Sequence, residues 1–334
     1  MAESISYKAL VAYEEKGRFK QAVQNLETSY LPQNDLLIRV HYSSLNYKDA
    51  LSATGHRGVT KAYPFTPGID AAGVVEQSSS EWFSEGNQVI VTSYDLGMNT
   101  PGGFGQYISV PADWAIPLPG GLSLKESMMI GTSGLTAAIG IEKILAQNVR
   151  PGSGNVLVTG ATGAVGSFGV ALLSHLGYRV IAATGKTGCD PFLKKLGSAD
   201  IIGRDEVMEV TENPLLSSRW IAALDTAGGA VLDTVIRQTS HNGVVACCGN
   251  VAGNDFSTSV LPFILRGISL MGIDSGIAAM HDRIRIWNRL ATDWKPKSMD
   301  HLYREVHIKD LPGEIKNILE GGQTGKVLVN LIDS

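Results

Sequence analysis

The stretch from Asn155 to Ala183 constrains this chain more than any other. A short apolar run, Val156-Leu157-Val158-Thr159, leads into Gly160-Ala161-Thr162-Gly163-Ala164-Val165-Gly166. An apolar stretch from Val165 to Leu176 follows and stops at Gly177, and a second run, Arg179-Val180-Ile181-Ala182-Ala183, comes next. This order predicts strand, turn, helix and strand, with Gly177 as the left-handed residue just past the helix. Asp190-Pro191 reads as the N-cap and first residue of another helix that ends at Leu196-Gly197. Ile201-Ile202, Ala222-Ala223-Leu224-Asp225 and Gly243-Val244-Val245-Ala246 supply further strands. Alternation of this kind predicts an α/β, doubly wound parallel sheet.

The first third has another rhythm. Strand candidates Leu36–Tyr42, Ala71–Val75 and Gln88–Thr92 are separated by Pro64, Pro67-Gly68, Gly86-Asn87 and Pro101-Gly102-Gly103. Short strands so punctuated predict a partly open barrel or sandwich. From Leu124 to Gln147 the chain is rich in Ala, Ile, Leu and Met, and reads as one or two helices interrupted at Gly131 and Gly134. The tail from about Met280 holds a helical stretch, Ile284–Leu290, and a closing strand, Lys326–Asn330, expected to pack back onto the first part.

Composition narrows the classes. Of 334 residues 44% are hydrophobic and 18% charged, which suits two cored domains and gives little reason to expect disorder. The net charge of −4 without a basic stripe argues against a nucleic-acid partner. No apolar run is expected to reach the roughly 20 residues of a membrane span. The first residues show no signal-peptide pattern, and Cys189, Cys247 and Cys248 lack metal-site spacing and read as reduced thiols, so a cytoplasmic protein is expected.

The glycine-rich turn opens a helix, whose first N–H groups and dipole suit a pyrophosphate. Thr162, Gly163, Ala164 and Val165 are therefore candidate cofactor contacts, with Gly163 admitting the phosphates and Gly166 letting helix and strand approach. The spacing G-x-x-G-x-x-G departs from the standard fingerprint, so the context carries the inference. After the second strand, Thr184-Gly185-Lys186 stands where an NAD site has an acid. A hydroxyl and an ammonium there favour a 2′-phosphate, hence NADPH. Arg204 either reaches the same phosphate or pairs locally with Asp205.

With Lys194-Lys195-Leu196-Gly197 and Ala223–Gly229 added, nearly the whole chain resembles the zinc-free, quinone-oxidoreductase-like side of the medium-chain dehydrogenase/reductase superfamily. Ser43–Leu51, Pro67-Gly68-Ile69-Asp70, Pro262–Gly267 and Gly272–Ser275 resemble its acrylyl-CoA reductase branch. The resemblance implies a GroES-like substrate domain over 1–125, completed by 276–334, a Rossmann NADPH-binding domain over 126–275, and a cleft where nicotinamide meets substrate. It implies cofactor contacts from Cys248-Gly249-Asn250 and from Ile273 and Ser275, and a homodimer paired through Ser269–Ile273. Zinc relatives have a Cys near the position of Asn46, a Gly-His-Glu motif and a four-Cys lobe; this chain has Asn46, Gly68-Ile69-Asp70 and no Cys before 189, so no metal is expected.

Without a metal, hydride from NADPH suits a carbon that is already electrophilic: the β-carbon of an enoyl thioester, enone or quinone. Tyr47 and Asn46 are the catalytic candidates, Tyr47 offering its hydroxyl to the nicotinamide or the substrate carbonyl and Asn46 donating a hydrogen bond nearby. Asp70 and Asp225 read as acceptors for backbone amides in turns. The expected reaction is acrylyl-CoA to propionyl-CoA. The alternatives are a quinone or enone reductase without a CoA substrate, and a non-catalytic NADPH-binding sensor.

Overall fold

A computed structural model describes residues 4–332. The chain forms two compact units, one comprising residues up to Thr132 with Gly276–Ala291 and the segment from Tyr303, the other Ser133–Ser275 with Thr292–Leu302. Residues 292–302 thus group with the parallel sheet and not with the rest of the tail.

The first unit begins with a hairpin, β1 (Ser6–Glu15) and β2 (Arg18–Glu27), paired antiparallel with Glu15 opposite Arg18. Next come β3 (Leu36–Leu45), α1 (Tyr47–Ala53), β4 (Asp70–Ser78), β5 (Gln88–Thr92), β6 (Tyr107–Val110) and β7 (Ala115–Pro117). The helix α2 (Leu124–Ala146) carries the chain into the second unit and breaks at Gly131, where φ is 51° and ψ −161°. Gly134 does not interrupt it. By length and composition α2 could cross a membrane, where none was expected; 78% of its most apolar window is buried within the protein.

The second unit then alternates as expected: β8 (Asn155–Val158), α3 (Ala164–His175), β9 (Arg179–Thr184), α4 (Asp190–Lys195), β10 (Asp200–Gly203), β11 (Trp220–Asp225), α5 (Gly229–Arg237), β12 (Thr239–Cys247), α6 (Leu261–Arg266) and β13 (Ser269–Gly272). All neighbours pair in parallel, in the order β10-β9-β8-β11-β12-β13. That is the doubly wound order with its switch point between β8 and β11. Gly177, at φ 84°, ends α3: its N–H bonds Ser174 O and that of Tyr178 bonds Leu173 O, the paired closure that a left-handed residue permits. At α4 one expectation is corrected. Cys189 is the N-cap and Asp190 already lies in the helix, because Pro191 is tolerated anywhere in the first turn, where its missing N–H has no partner to lose.

The tail returns to the first unit as α7 (Met280–Leu290), β14 (Tyr303–His307), α8 (Leu311–Leu319) and β15 (Lys326–Asn330). β15 pairs antiparallel with β3 inside a sheet ordered β14-β15-β3-β4-β5-β7, with β6 also on β3. Its five residues are all buried. The core around it joins Leu36, Ile38, Val40, Val89, Val91, Ile108, Val327 and Val329. In the second unit Leu157, Ile181, Trp220, Ala223, Val235 and Val245 play that part. Each such Val, Leu or Ile side chain contributes about 1.5–3 kcal/mol when taken fully from water.

Candidate functional site

The candidate residues fall into two groups: Asn46 and Tyr47 belong to the first unit, and all the others to the second.

In the second unit they gather at the carboxyl ends of the parallel strands, where open α/β sheets bind ligands. The turn after β8 is packed to contact. A Cβ on Gly166 would lie 2.3 Å from Gly160 O, and one on Gly160 would lie 2.3 Å from Thr226 Oγ1. Helix, turn and the end of β11 can approach this closely only with glycine at both places. Gly163, the N-cap of α3, is different: an added Cβ would meet only Gly160 O, at 3.3 Å. Its outer side is open, and beyond it lie the N–H groups of Ala164 and Val165 in the first turn of a twelve-residue helix.

Asp225 fastens the switch point. Its Oδ1 accepts from Thr159 Oγ1 at 2.7 Å and its Oδ2 from Gly228 N at 2.8 Å, while Thr226 N donates to Thr159 Oγ1. Burial raises its pKa. Its place is structural, tying β8 to β11. Gly249 follows β12 so close to Thr226 that a Cβ would lie 1.8 Å from Thr226 O. Cys248 N donates to Asp225 O, Asn250 Nδ2 to Asn254 Oδ1, and Ile273 N to Cys247 O, extending the β12–β13 ladder. Ser275 Oγ bonds Thr136 Oγ1 at 2.6 Å.

The end of β9 forms a separate feature. Thr184, Gly185 and Lys186 line a cavity of about 470 Å³ together with Gly203, Arg204 and Asp205, and Asp190 also reaches it. Thr184 is turned inward: its hydroxyl accepts from Lys186 N at 3.1 Å and meets Thr162 Oγ1 at 3.2 Å. It therefore shapes the turn, and either hydroxyl can be the donor in its contact with Thr162. Lys186 is half-buried, which lowers its pKa. The Arg204 guanidinium lies against Gly185, where a Cβ would sit 2.9 Å from Arg204 Cζ. Among the described residues Arg204 makes no ion pair, so the local pair with Asp205 is not formed.

In the first unit Asn46 is the N-cap of α1 and Tyr47 its first residue. Tyr47 is 49% exposed and its ring is available. Asn46 is not. Its Nδ2 donates to Asp70 Oδ2 at 2.8 Å and to Ser44 O at 3.2 Å, while its Oδ1 accepts from Lys326 Nζ at 2.8 Å. Asn46 was expected to donate a hydrogen bond near the nicotinamide; its amide hydrogens go to Asp70 and Ser44 O. Asp70 collects the donors: Ser44 Oγ at 2.5 Å, Thr132 Oγ1 at 2.6 Å, Thr132 N at 3.0 Å and Lys326 Nζ at 3.4 Å besides Asn46. Asp49, three residues after the cap, accepts from Asn46 N and Ile69 N, both at 2.8 Å. Burial first, and the neighbouring Asp70 second, push its carboxyl up to about 7. Gly131 closes the cluster; its Cβ would lie 2.5 Å from Asp70 Oδ2 and 2.7 Å from Ser44 Oγ. Sequence reading missed Ser44, Asp49, Thr132 and Lys326 as partners. Two signals were there to be read: an acid three residues after an N-cap Asn, and a lysine opening a run as apolar as Val327-Leu328-Val329.

A six-stranded parallel sheet in this order, with a glycine turn at its switch point and two cations beyond its second strand, defines a dinucleotide-binding protein of the Rossmann class. Comparison with known proteins carries this further. The alcohol dehydrogenase GroES-like domain family matches residues 32–120 and the zinc-binding dehydrogenase family residues 164–289. Acrylyl-CoA reductase AcuI of Ruegeria pomeroyi is 40% identical, over 95% of this chain and 96% of its own. The structure of Escherichia coli K-12 YhdH with bound NADPH superposes with a TM-score of 0.93 at 38% identity, over 97% and 99% of the two chains. That of Bacillus subtilis YhfP, a protein provisionally named a quinone oxidoreductase and solved with NAD bound, gives 0.95 at 40%, over 99% and 100%. The chain belongs to the medium-chain dehydrogenase/reductase superfamily, on its zinc-free, quinone-oxidoreductase-like branch.

The second matching family is named for zinc, and the residues here do not fit that metal. Where the resemblance sets the zinc relatives' Cys and Gly-His-Glu motif, this chain has Asn46 and Gly68-Ile69-Asp70, and the Lys326 ammonium already bonds Asn46 and Asp70. Among the described residues no cluster of three or more His, Cys, Asp or Glu could hold a metal ion.

Proposed function

We propose that this chain is a zinc-independent, NADPH-dependent reductase that places hydride on the β-carbon of an α,β-unsaturated thioester, turning acrylyl-CoA into propionyl-CoA. The observation that carries the cofactor choice is Arg204, an unpaired guanidinium laid against Gly185 beside Lys186, at the strand end where an NAD site keeps an acid. The relatives named acrylyl-CoA reductase, about 40% identical over nearly the whole length, support the substrate.

When bound, NADPH supplies the hydride. The chain's residues bind and orient it. Thr162, Ala164 and Val165 present backbone N–H groups to the pyrophosphate beside Gly163, whose own N–H bonds Gly160 O and whose missing side chain lets the phosphates approach, and Lys186 and Arg204 bind the 2′-phosphate. The loops at Cys248-Gly249-Asn250 and at Ile273 and Ser275 bound the nicotinamide end. Thr184 acts by fixing the turn. The Tyr47 hydroxyl donates to the nicotinamide amide or to the substrate carbonyl as it gains enolate charge. Asn46 holds Tyr47 at the helix start, and solvent supplies the α-carbon proton. The first unit is the substrate domain and the second the NADPH-binding domain. The exposed edge strand β13, with Leu270 on it and Ile264 and Leu265 exposed on α6, supports a homodimer. Three free cysteines support a cytoplasmic site.

The test is NADPH oxidation by the purified protein with acrylyl-CoA or a simple quinone, with NADH in parallel. Turnover of acrylyl-CoA with NADPH is expected. Turnover of the quinone alone sinks the thioester and leaves the second reading, which the name of YhfP favours. Binding of NADPH without turnover of either substrate moves the reading to a sensor. Gel filtration tests the dimer.

A further inference from the structure

One buried cation has no part in the function proposed so far. Lys326 is 2% exposed and opens β15 inside the sheet core of the first unit. Its Nζ donates to Asn46 Oδ1 at 2.8 Å and lies 3.4 Å from Asp70 Oδ2. A lysine ammonium is strongly hydrated and is rarely buried without specific compensation. Here burial lowers its pKa, and Asp70 and then Asp49 oppose that shift.

We propose that Lys326 is a positioning residue for the reaction. Its ammonium sets the orientation of the Asn46 side chain. An amide can present either end. Lys326 can only donate, and so it selects the oxygen of Asn46. The Nδ2 hydrogens are then directed at Asp70 and Ser44 O, and the cap of α1 is locked. Tyr47 is the next residue. The two ends of this clamp come from opposite ends of the chain: 280 residues separate Lys326 from Asn46, and the β15–β3 pairing with Val327 opposite Leu45 joins them. Among the groups near the ammonium are Asn46 before α1, Asp49 within it and Asp70 on β4, and a Cβ on Gly131 would lie 3.1 Å from Nζ.

This inference rests on Tyr47 serving the reaction, and the experiment separates the two. Lys326→Met keeps the length of the side chain and removes the charge. In the cofactor-free protein, exchange of the Asn46 side-chain amide hydrogens is followed by NMR, the signals being assigned by their loss in Asn46→Ala. Slow exchange is expected in the wild type, and at least tenfold faster exchange in Lys326→Met. With acrylyl-CoA and NADPH, kcat should fall at least tenfold with KM for NADPH nearly unchanged, and the pH profile should move upward because Asp49 loses a stabilising cation. Lys326→Arg should rescue kcat in part. Wild-type exchange and kcat in a folded Lys326→Met overturn the proposal, as does a uniform loss with an unmoved pH profile. If Lys326→Met does not fold, the wild type still decides, because an Asn46 amide that exchanges like a solvent-exposed one overturns it. Failure of the wild type to turn over acrylyl-CoA counts against the proposed function and leaves the exchange result standing.

Discussion

Arg204→Ala should convert much of the preference for NADPH into indifference. The guanidinium is solvent-exposed, makes no ion pair among the described residues, and lies against Gly185 on the rim of the cavity that Lys186 also lines. Because no described residue pairs with its charge, removal should leave folding untouched. Two unit charges 4 Å apart attract by about 1 kcal/mol in water and about 4 kcal/mol at an effective dielectric of 20. An exposed rim lies nearer the first limit, so we take about 1–2 kcal/mol, which is about 5–30-fold in affinity. Lys186→Ala should act in the same direction. The assay is kcat/KM for NADPH and for NADH, each at low and high salt. NADPH should weaken by that factor, NADH should hardly change, and the difference should shrink as salt rises. An equal loss for both cofactors, or a loss indifferent to salt, refutes the assignment of the 2′-phosphate to this cavity.

Gly163→Ala and Gly166→Ala should part company. A Cβ at Gly163 meets only Gly160 O at 3.3 Å, so that variant should keep its Tm and lose NADPH affinity by calorimetry, whereas at Gly166 the 2.3 Å approach to Gly160 O should lower stability by about 2–3 kcal/mol. Asp49 makes stability depend on pH. Its folded pKa is raised to about 7 from 3.8, so its favourable contribution is complete below about pH 4 and is lost as pH rises through 7. The loss is on the order of 4 kcal/mol, and urea unfolding at about pH 5 and about pH 8 should show a smaller difference for Asp49→Asn than for wild type. Arg283 is 1% exposed and donates to Thr92 O, Ala278 O and Gly276 O, so Arg283→Leu should destabilise by about 3 kcal/mol or more; an unchanged Tm would show these carbonyls to be indifferent to it.

The parallel sheet was legible because its signals are local. Four apolar residues, a glycine turn and a helix closed by Gly177 lie within one short stretch, and each step is decided by its own neighbours. The opening hairpin was not read. Its turn is Lys16-Gly17 and not Asn-Gly or Asp-Gly, and β2 alternates weakly, since none of its residues is fully buried. The cluster around Asp70 was illegible for another reason. Its members come from β3, α1, β4, α2 and β15, and no pattern in the sequence says that Lys326 and Asn46 meet. The cofactor turn lay between these cases: Lys186 and Arg204, expected near one phosphate, line one cavity, but the inward turn of Thr184 depends on Thr162, which only the packed structure brings alongside.

The two adjacent cysteines at the end of β12 have a consequence for the protein's survival in its own chemistry. Burial, followed by the neighbouring Asp225, pushes the Cys247 thiol up to about 11 and the Cys248 thiol up to about 12. A conjugated carbonyl that accepts hydride at its β-carbon also alkylates thiolates there, and the thiolate is the reactive form. At pH 7 only about one Cys247 in ten thousand carries that charge, against a few per cent of a free cysteine. A reductase handling such electrophiles thus keeps this pair nearly inert toward them. Acrylamide, a compound with the same reactive group, should label neither thiol while the protein is folded and both once urea has opened the sheet; rapid labelling of the native protein would mean that the shield is not there.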